Sequence, residues 1–298
     1  MKIPIVFLGT GQAIPTIKRN HTSILLSYKD ENILIDCGEG AQRQIRKAHI
    51  NPCSITKLLI THWHGDHILG IPGLLQTLAL NGYNKTLQVY GPKGTERFLH
   101  AILDMFIFEG KINIKIKEID SGIFLDTDDF YISCLPMSHG TPCLAYSFVE
   151  KEKIRINKEK LEKLKIKGSI IRDLAKGKDI IWNDKKVKAK DLTYSQPEKK
   201  ITFIFDTTLN ENCFKIAENS DLLISEATYT QKDEDADGFR YHMTAHQAGE
   251  IAKKSKSKRL ILSHLSQRYE MNEKAILDEA KKVFKNSEVA QDLTKTEV

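Results

Sequence analysis

The sequence predicts an α/β protein in which two sheets pack together with helices outside them. Strand-like runs come in groups in each half, with helical stretches between and after them. That arrangement fits layered sheets better than one doubly wound parallel sheet. No long linker divides the 298 residues, and no short-period repeat is visible. The most distinctive stretch, His62-Trp63-His64-Gly65-Asp66-His67, falls between a buried strand and a helix.

The elements follow in order. Residues 3–8 (IPIVFL) form a strand ending in Gly9-Thr10-Gly11, and a loop carries Lys18, Arg19 and Asn20. Residues 21–28 and 32–36 make a hairpin turned at Lys29-Asp30. Residues 41–48 are helical, 54–61 form a buried strand, and 68–80 form a helix. A strand at 86–90 and a helix at 95–106 come next, then strands at 113–119, 130–136 and 143–149. The rhythm breaks at 151–200, where a short charged helix at 158–165 is expected and little else shows a buried face. It resumes with strands at 200–205, 222–225 and 259–263 and helices at 212–218, 245–254 and 273–284. The polar residues 287–298 are expected to form a frayed tail.

Apolar residues make up 41% and charged residues 28%, the profile of an ordinary globular chain. No apolar run approaches the ~20 residues of a membrane span. The N-terminal apolar run is too short for a signal-peptide core, so no membrane role and a cytoplasmic location are expected. Five cysteines, scattered and without a C-x-x-C pair, read as reduced and mostly buried thiols. Net charge is +6, yet residues 151–200 alone hold 17 Lys and Arg against 8 Asp and Glu. The positive charge belongs to that segment.

Four residues of the His62–His67 stretch can bind metal. Imidazole and carboxylate suit Zn²⁺ or a similar divalent ion. Three of ten histidines within six positions is not a chance grouping. Four donors on so short a turn do not converge on one ion, so each pair is expected to feed a different metal, with Gly65 freeing the backbone. His139, Asp206 and His264 end other predicted strands, where a rigid element meets an open rim. Each alone could equally be structural. Together they complete two sites: His62, His64 and His139 around one ion, Asp66, His67 and His264 around the second, and Asp206 between them.

H-x-H-x-D-H after a strand, followed by His, Asp and His at strand ends, resembles the metallo-β-lactamase fold. The chain is more closely similar to the RNase Z family, endonucleases that remove the 3′ trailer from precursor tRNA. The likeness runs through FLGTGQAIP, DCGEGAQRQI, ITHWHGDHILGIPGL, SHGTPCLAYSF, FDTT, SEATY, HMTAHQAGEIA and RLILSHLSQRY. It implies an αββα sandwich of two mixed sheets over residues 1–298, with a protruding basic arm inserted at 150–199 that grips tRNA. It implies two Zn²⁺ per subunit, other divalent ions being possible, and a homodimer. The resemblance further implies that hydroxide attacks phosphorus, leaving a tRNA 3′-hydroxyl and a 5′-phosphate on the trailer, and it implies the residue roles that follow. Asp66 helps position or deprotonate the attacking water. His242 supplies the proton to the leaving ribose oxygen, with Glu226 orienting its ring. Asp36 accepts a hydrogen bond from a metal-bound histidine. Lys18, Arg19 and Asn20 hold the RNA 3′ end.

Two alternatives stand beside this reading. A metallo-hydrolase of small phosphodiesters or thioesters would need no basic segment. An RNA-binding protein with a structural metal site would not need seven cysteine-free ligands, because structural zinc sites tend to be closed and cysteine-rich.

Overall fold

The structure, a computed structural model, describes residues 2–107, 112–183, 185–233 and 241–298. The chain divides into two compact units, one of residues 1–126, 132–148 and 200–298, the other of residues 127–131 and 149–199.

The strands of the first half are β1 (Pro4–Gly9), β2 (Ser23–Tyr28), β3 (Glu31–Ile35), β4 (Lys57–Leu59), β5 (Thr86–Gly91), β6 (Asn113–Glu118), β7 (Gly122–Asp126), β8 (Phe130–Ser138) and β9 (Pro142–Glu150). Their helices are α1 (Ala41–Lys47), α2 (Gly65–Ile68), α3 (Ile71–Leu80) and α4 (Thr95–Met105). The second unit then supplies β10 (Lys153–Ile156), α5 (Lys158–Lys163), α6 (Ile171–Ala175), β11 (Ile180–Trp182), β12 (Lys185–Val187), α7 (Ala189–Leu192) and β13 (Thr193–Gln196). The chain closes with β14 (Lys199–Ile204), α8 (Glu211–Ala217), β15 (Leu222–Glu226), α9 (Ala245–Lys254), β16 (Leu260–Ser263), α10 (Glu273–Val283), β17 (Ser287–Val289) and β18 (Lys295–Glu297).

Among the described residues, two seven-stranded sheets run in the orders β18-β1-β2-β3-β4-β5-β6 and β17-β16-β15-β14-β9-β8-β7. The first is antiparallel from β18 to β3 and parallel from β3 to β6. In the second, β14 to β17 are parallel. Strand β9 returns from β8 through a turn too short for anything but an antiparallel pairing.

Alternation along the strands builds the layers. Val6, Leu25, Leu34 and Leu58 pack with Ile45, Leu74 and Leu99 of the helices. Their strand neighbours Ile5, Phe7, Ile24 and Ile33 are equally buried and point the other way. On that inner side Tyr28 meets Phe148 with ring centroids 5.3 Å apart, and the Tyr146 hydroxyl donates to Ile60 O at 2.6 Å. Helices α8, α9 and α10 cover the second sheet through Ile216, Ala248, Ile251 and Ile276. Sheets buried on both faces are why the strands read as near-continuous apolar runs.

Two expectations need correction. The tail is not frayed: β17 lies parallel to β16, β18 lies antiparallel to β1, and Val298 N donates to Ile3 O. These short edge strands gain their order from ladder hydrogen bonds, which polar composition does not reveal. Segment 151–200 is not without a buried face either. Leu161, Ile166, Leu174, Ile180 and Leu192 form a small core within it, and Trp182 Nε1 donates to Leu164 O at 3.1 Å. These apolar residues come from several short elements, so none displays a helical or strand period of its own.

Candidate metal centre

Four of the seven candidate ligands sit just past a strand. His62 follows β4 by way of Ile60 and Thr61, His139 opens the β8–β9 turn, Asp206 follows β14, and His264 follows β16. Carboxyl ends of parallel strands are a preferred place for sites in layered α/β proteins. The remaining three ligands come from α2, a one-turn helix whose N-cap is His64. Gly65 begins that helix and is absent from the positive-φ positions, so it does not serve the turn as expected. Left-handed backbone falls instead on Asp36 (φ 55°) and His264 (φ 56°). Non-glycine residues hold such angles at a cost, and they gather at functional sites.

The structure brings the side chains into two groups that share Asp206: His62, His64 and His139, and Asp66, His67 and His264. Donor atoms within each group lie within 4.8 Å of one another. Asp206 divides its oxygens between them. Its Oδ2 lies 3.6 Å from His62 Nε2 and 3.5 Å from His139 Nε2. Its Oδ1 lies 3.2 Å from His67 Nε2 and 3.1 Å from His264 Nε2. Asp66 Oδ2 completes the second group, 3.3 Å and 3.4 Å from the same two nitrogens.

Outer partners fix four rings. His67 Nδ1 meets Asp36 Oδ2 at 2.6 Å, and His62 Nδ1 meets Thr61 Oγ1 at 3.0 Å. His139 Nδ1 donates to Tyr241 O at 3.0 Å, and His264 Nδ1 meets Thr228 Oγ1 at 3.1 Å. Each tie turns the opposite nitrogen inward, the arrangement by which outer groups orient metal-binding imidazoles. Asp36 is itself held by Thr61 N at 2.7 Å and Thr61 Oγ1 at 2.8 Å. The sequence reading singles out neither Thr61 nor Thr228. A hydroxyl residue beside a strand end carries no local signal.

The donor set fits divalent cations. His62 Nε2 and Asp206 Oδ1 are buried without a hydrogen bond, and His67 Nε2 faces His264 Nε2 at 3.2 Å. Buried polar atoms are otherwise satisfied almost everywhere in proteins. The electrostatics agree. Burial opposes charge on His67, yet Asp206, Asp66 and Asp36 push its pKa well above the usual value. Burial likewise works against charge on Asp206, but His264, His67 and His62 hold its carboxyl well below the usual range. At His67 and Asp206 opposite charge outweighs burial, whereas burial holds the His62 and His139 pKa values below the usual one, favouring the neutral imidazole that binds a metal.

Beside the second group, His242 Nδ1 lies 3.2 Å from Glu226 Oε2. Burial lowers the His242 pKa and Glu226 raises it, and the net result is about 9. Glu226 is fully buried and pinned by Thr207 N at 2.6 Å and Thr228 Oγ1 at 2.6 Å.

Of the residues expected to hold RNA, Lys18 is exposed and lines a cavity with Asn20, Arg43 and Lys47. Arg19 is not available to RNA. Its side chain is 2% exposed and pairs with Glu273 at 2.8 Å. It also donates to Thr10 Oγ1 at 2.5 Å and Ala290 O at 2.8 Å. Arg19 anchors the loop to the C-terminal part of the chain. Arg19→Ala, which strands a partly buried Glu273, is expected to cost about 3 kcal/mol in urea unfolding; loss of RNA binding at unchanged stability would overturn this placement.

Comparison with known proteins gives related chains. A family model described as anti-Pycsar protein Apyc1 matches residues 3–104. The chain is 40% identical to ribonuclease Z of Methanothermobacter thermautotrophicus, covering 99% of this chain and 96% of that one. It is 36% identical to ribonuclease Z of Bacillus cereus, covering 97% of each. Human tRNase Z, short form, superposes with a TM-score of 0.71 at 25% identity over 98% of each chain. The metallo-β-lactamase fold protein YhfI of Bacillus subtilis does so at 0.70 and 20% identity, covering 100% of this chain and 99% of that one. The fold is the metallo-β-lactamase fold.

Proposed function

We infer that this chain, which belongs to the ribonuclease Z family, is a tRNA 3′-processing endoribonuclease, a divalent-metal phosphodiester hydrolase acting on precursor tRNA. The observation that carries this reading is the pair of ligand groups joined through Asp206, with His242 and Glu226 alongside. We propose two Zn²⁺ per subunit, held by His62, His64 and His139 and by Asp66, His67 and His264, with Asp206 between. When bound, such ions lower the pKa of a water and neutralise phosphate oxygens.

The chain's own residues supply the rest. Asp66, which His67 and His264 keep charged against burial, accepts a hydrogen bond from the attacking water and orients it. His242 holds Nδ1 toward Glu226, which leaves Nε2 to deliver a proton to the departing ribose 3′ oxygen. A proton at that atom is what makes the alkoxide a competent leaving group. Asp36 fixes the His67 ring from behind.

Substrate binding rests on charge. Lys18, Arg43 and Lys47 surround one cavity and would hold the phosphates of the acceptor end. The 150–199 arm, with its surplus of lysine, is proposed as a handle for the tRNA body, contributed across a homodimer. Binding through it falls steeply with salt. Among the described residues no helix is long and apolar enough to cross a membrane, and we propose a cytoplasmic location from the tRNA-processing role.

The test is incubation with end-labelled precursor tRNA, with and without chelator, mapping the cut to the nucleotide. One metal-dependent cut is expected, leaving a 3′-hydroxyl on the tRNA and a 5′-phosphate on the trailer. A cyclic phosphate at the cut would contradict attack by water.

A further inference from the structure

A cavity of about 590 Å³ is lined by Trp63, Phe98, Arg97, Lys93, Thr141 and Pro142. Trp63 stands between two cluster histidines in sequence, and Thr141 closely follows a third. The cavity therefore adjoins the His62, His64 and His139 end of the centre. The Lys18 cavity neighbours Asn20 and Gly40 instead, and Gly38 of that loop abuts the Asp66 backbone.

Its wall is a stack. Trp63 and Phe98 rings lie 5.1 Å apart at 35°, and the Arg97 guanidinium covers Phe98 at 4.5 Å from the ring centroid. Trp63 Nε1 is already satisfied by Thr95 Oγ1 at 2.9 Å, so the indole offers the cavity its ring. Phe98 is 37% exposed, so part of its ring is open to a ligand. The carboxylate here, Glu118, is engaged by Gly94 N and Glu96 N at the start of α4. With Lys93 and Arg97 set against that single carboxylate, the lining keeps an excess of positive charge beside its rings.

Rings plus cations recognise an unpaired nucleotide, since any base presents a π face and its phosphate a charge. Given the ribonuclease reading above, on which this inference rests, the acceptor stem is duplex and the trailer beyond the cut is single-stranded. We propose that this cavity binds a trailer nucleotide just 3′ of the cleaved bond. Its base stacks on Phe98 in the place Arg97 now occupies, and the released guanidinium moves to the adjoining phosphate.

The experiment compares two precursor tRNAs with the same trailer length, one with ordinary bases and one with abasic residues at the first three trailer positions. Wild-type enzyme is expected to favour the ordinary trailer about tenfold in kcat/KM, the scale of one lost base–aromatic stack. In Phe98→Ala that preference collapses toward unity, chiefly through KM. Trp63→Leu, which keeps an apolar side chain against α4, repeats the measurement at the other ring of the same stack. A wild type that cuts both precursors equally, or variants that retain the full preference, would overturn the stacking site alone. A wild type that cuts neither precursor overturns the ribonuclease reading and the stacking site with it.

Discussion

Asp206→Ala is expected to remove bound metal and cleavage together. Both carboxylate oxygens are committed, one to each ligand group, so no other single residue serves both. Losing it takes charge from both sites: His62 and His139 lose the carboxylate beside them, while His67 and His264 keep only Asp66 between them. Metal stabilisation of a phosphoryl transition state amounts to several kcal/mol, so kcat should fall by about 10³ or more. Metal analysis should show fewer ions per chain than in wild type, with the fold intact by circular dichroism. Wild-type metal content with normal cleavage would remove Asp206 from the centre.

His242→Ala is expected to lower kcat by about 10²–10⁴ while metal content stays unchanged, the range for loss of a general acid. The two variants are thereby separable. The pH profile gives a second signature. The His242 pKa is raised to about 9, so the proton is present at neutral pH and is lost as pH rises through that value. Wild-type activity should therefore decline on the alkaline side near pH 9, and the variant should lack that limb. Stability follows the same sign: the contribution of the Glu226 pair is full below the ordinary histidine value of about 6.5 and fades as pH rises through about 9. An unchanged alkaline limb in His242→Ala would assign the proton to another group.

How much of this was legible depends on where the deciding partner lies. His62, His64, Asp66 and His67 declare themselves because four donors crowd one turn, and Asp206 and His264 because a polar residue ends an apolar run. Arg19 could not be read correctly. A cation between Lys18 and Asn20 looks like an RNA contact, and what buries it is Glu273, 254 positions away. The tail failed for a related reason. Asp292, which accepts from Thr10 Oγ1, Asn20 N and Gln44 Nε2, ties the polar C-terminal stretch to three separate parts of the chain. No window of sequence contains those partners. The small core of the 150–199 arm escaped because its apolar residues are dispersed among short elements, whereas β1 to β3 each carry a readable run.

The outer ties of the four imidazoles have a further consequence. Thr61, Asp36, Tyr241 and Thr228 each restrain one ring, and left-handed backbone at Asp36 and His264 sets the direction of two strand exits. The rotational freedom those rings would otherwise surrender on meeting an ion is already gone when the chain has folded. Ion capture is then a filling of a finished cage rather than a last step of folding. The scaffold dictates spacing to the metals, and selection among ions becomes a question of which radius and charge the cage tolerates.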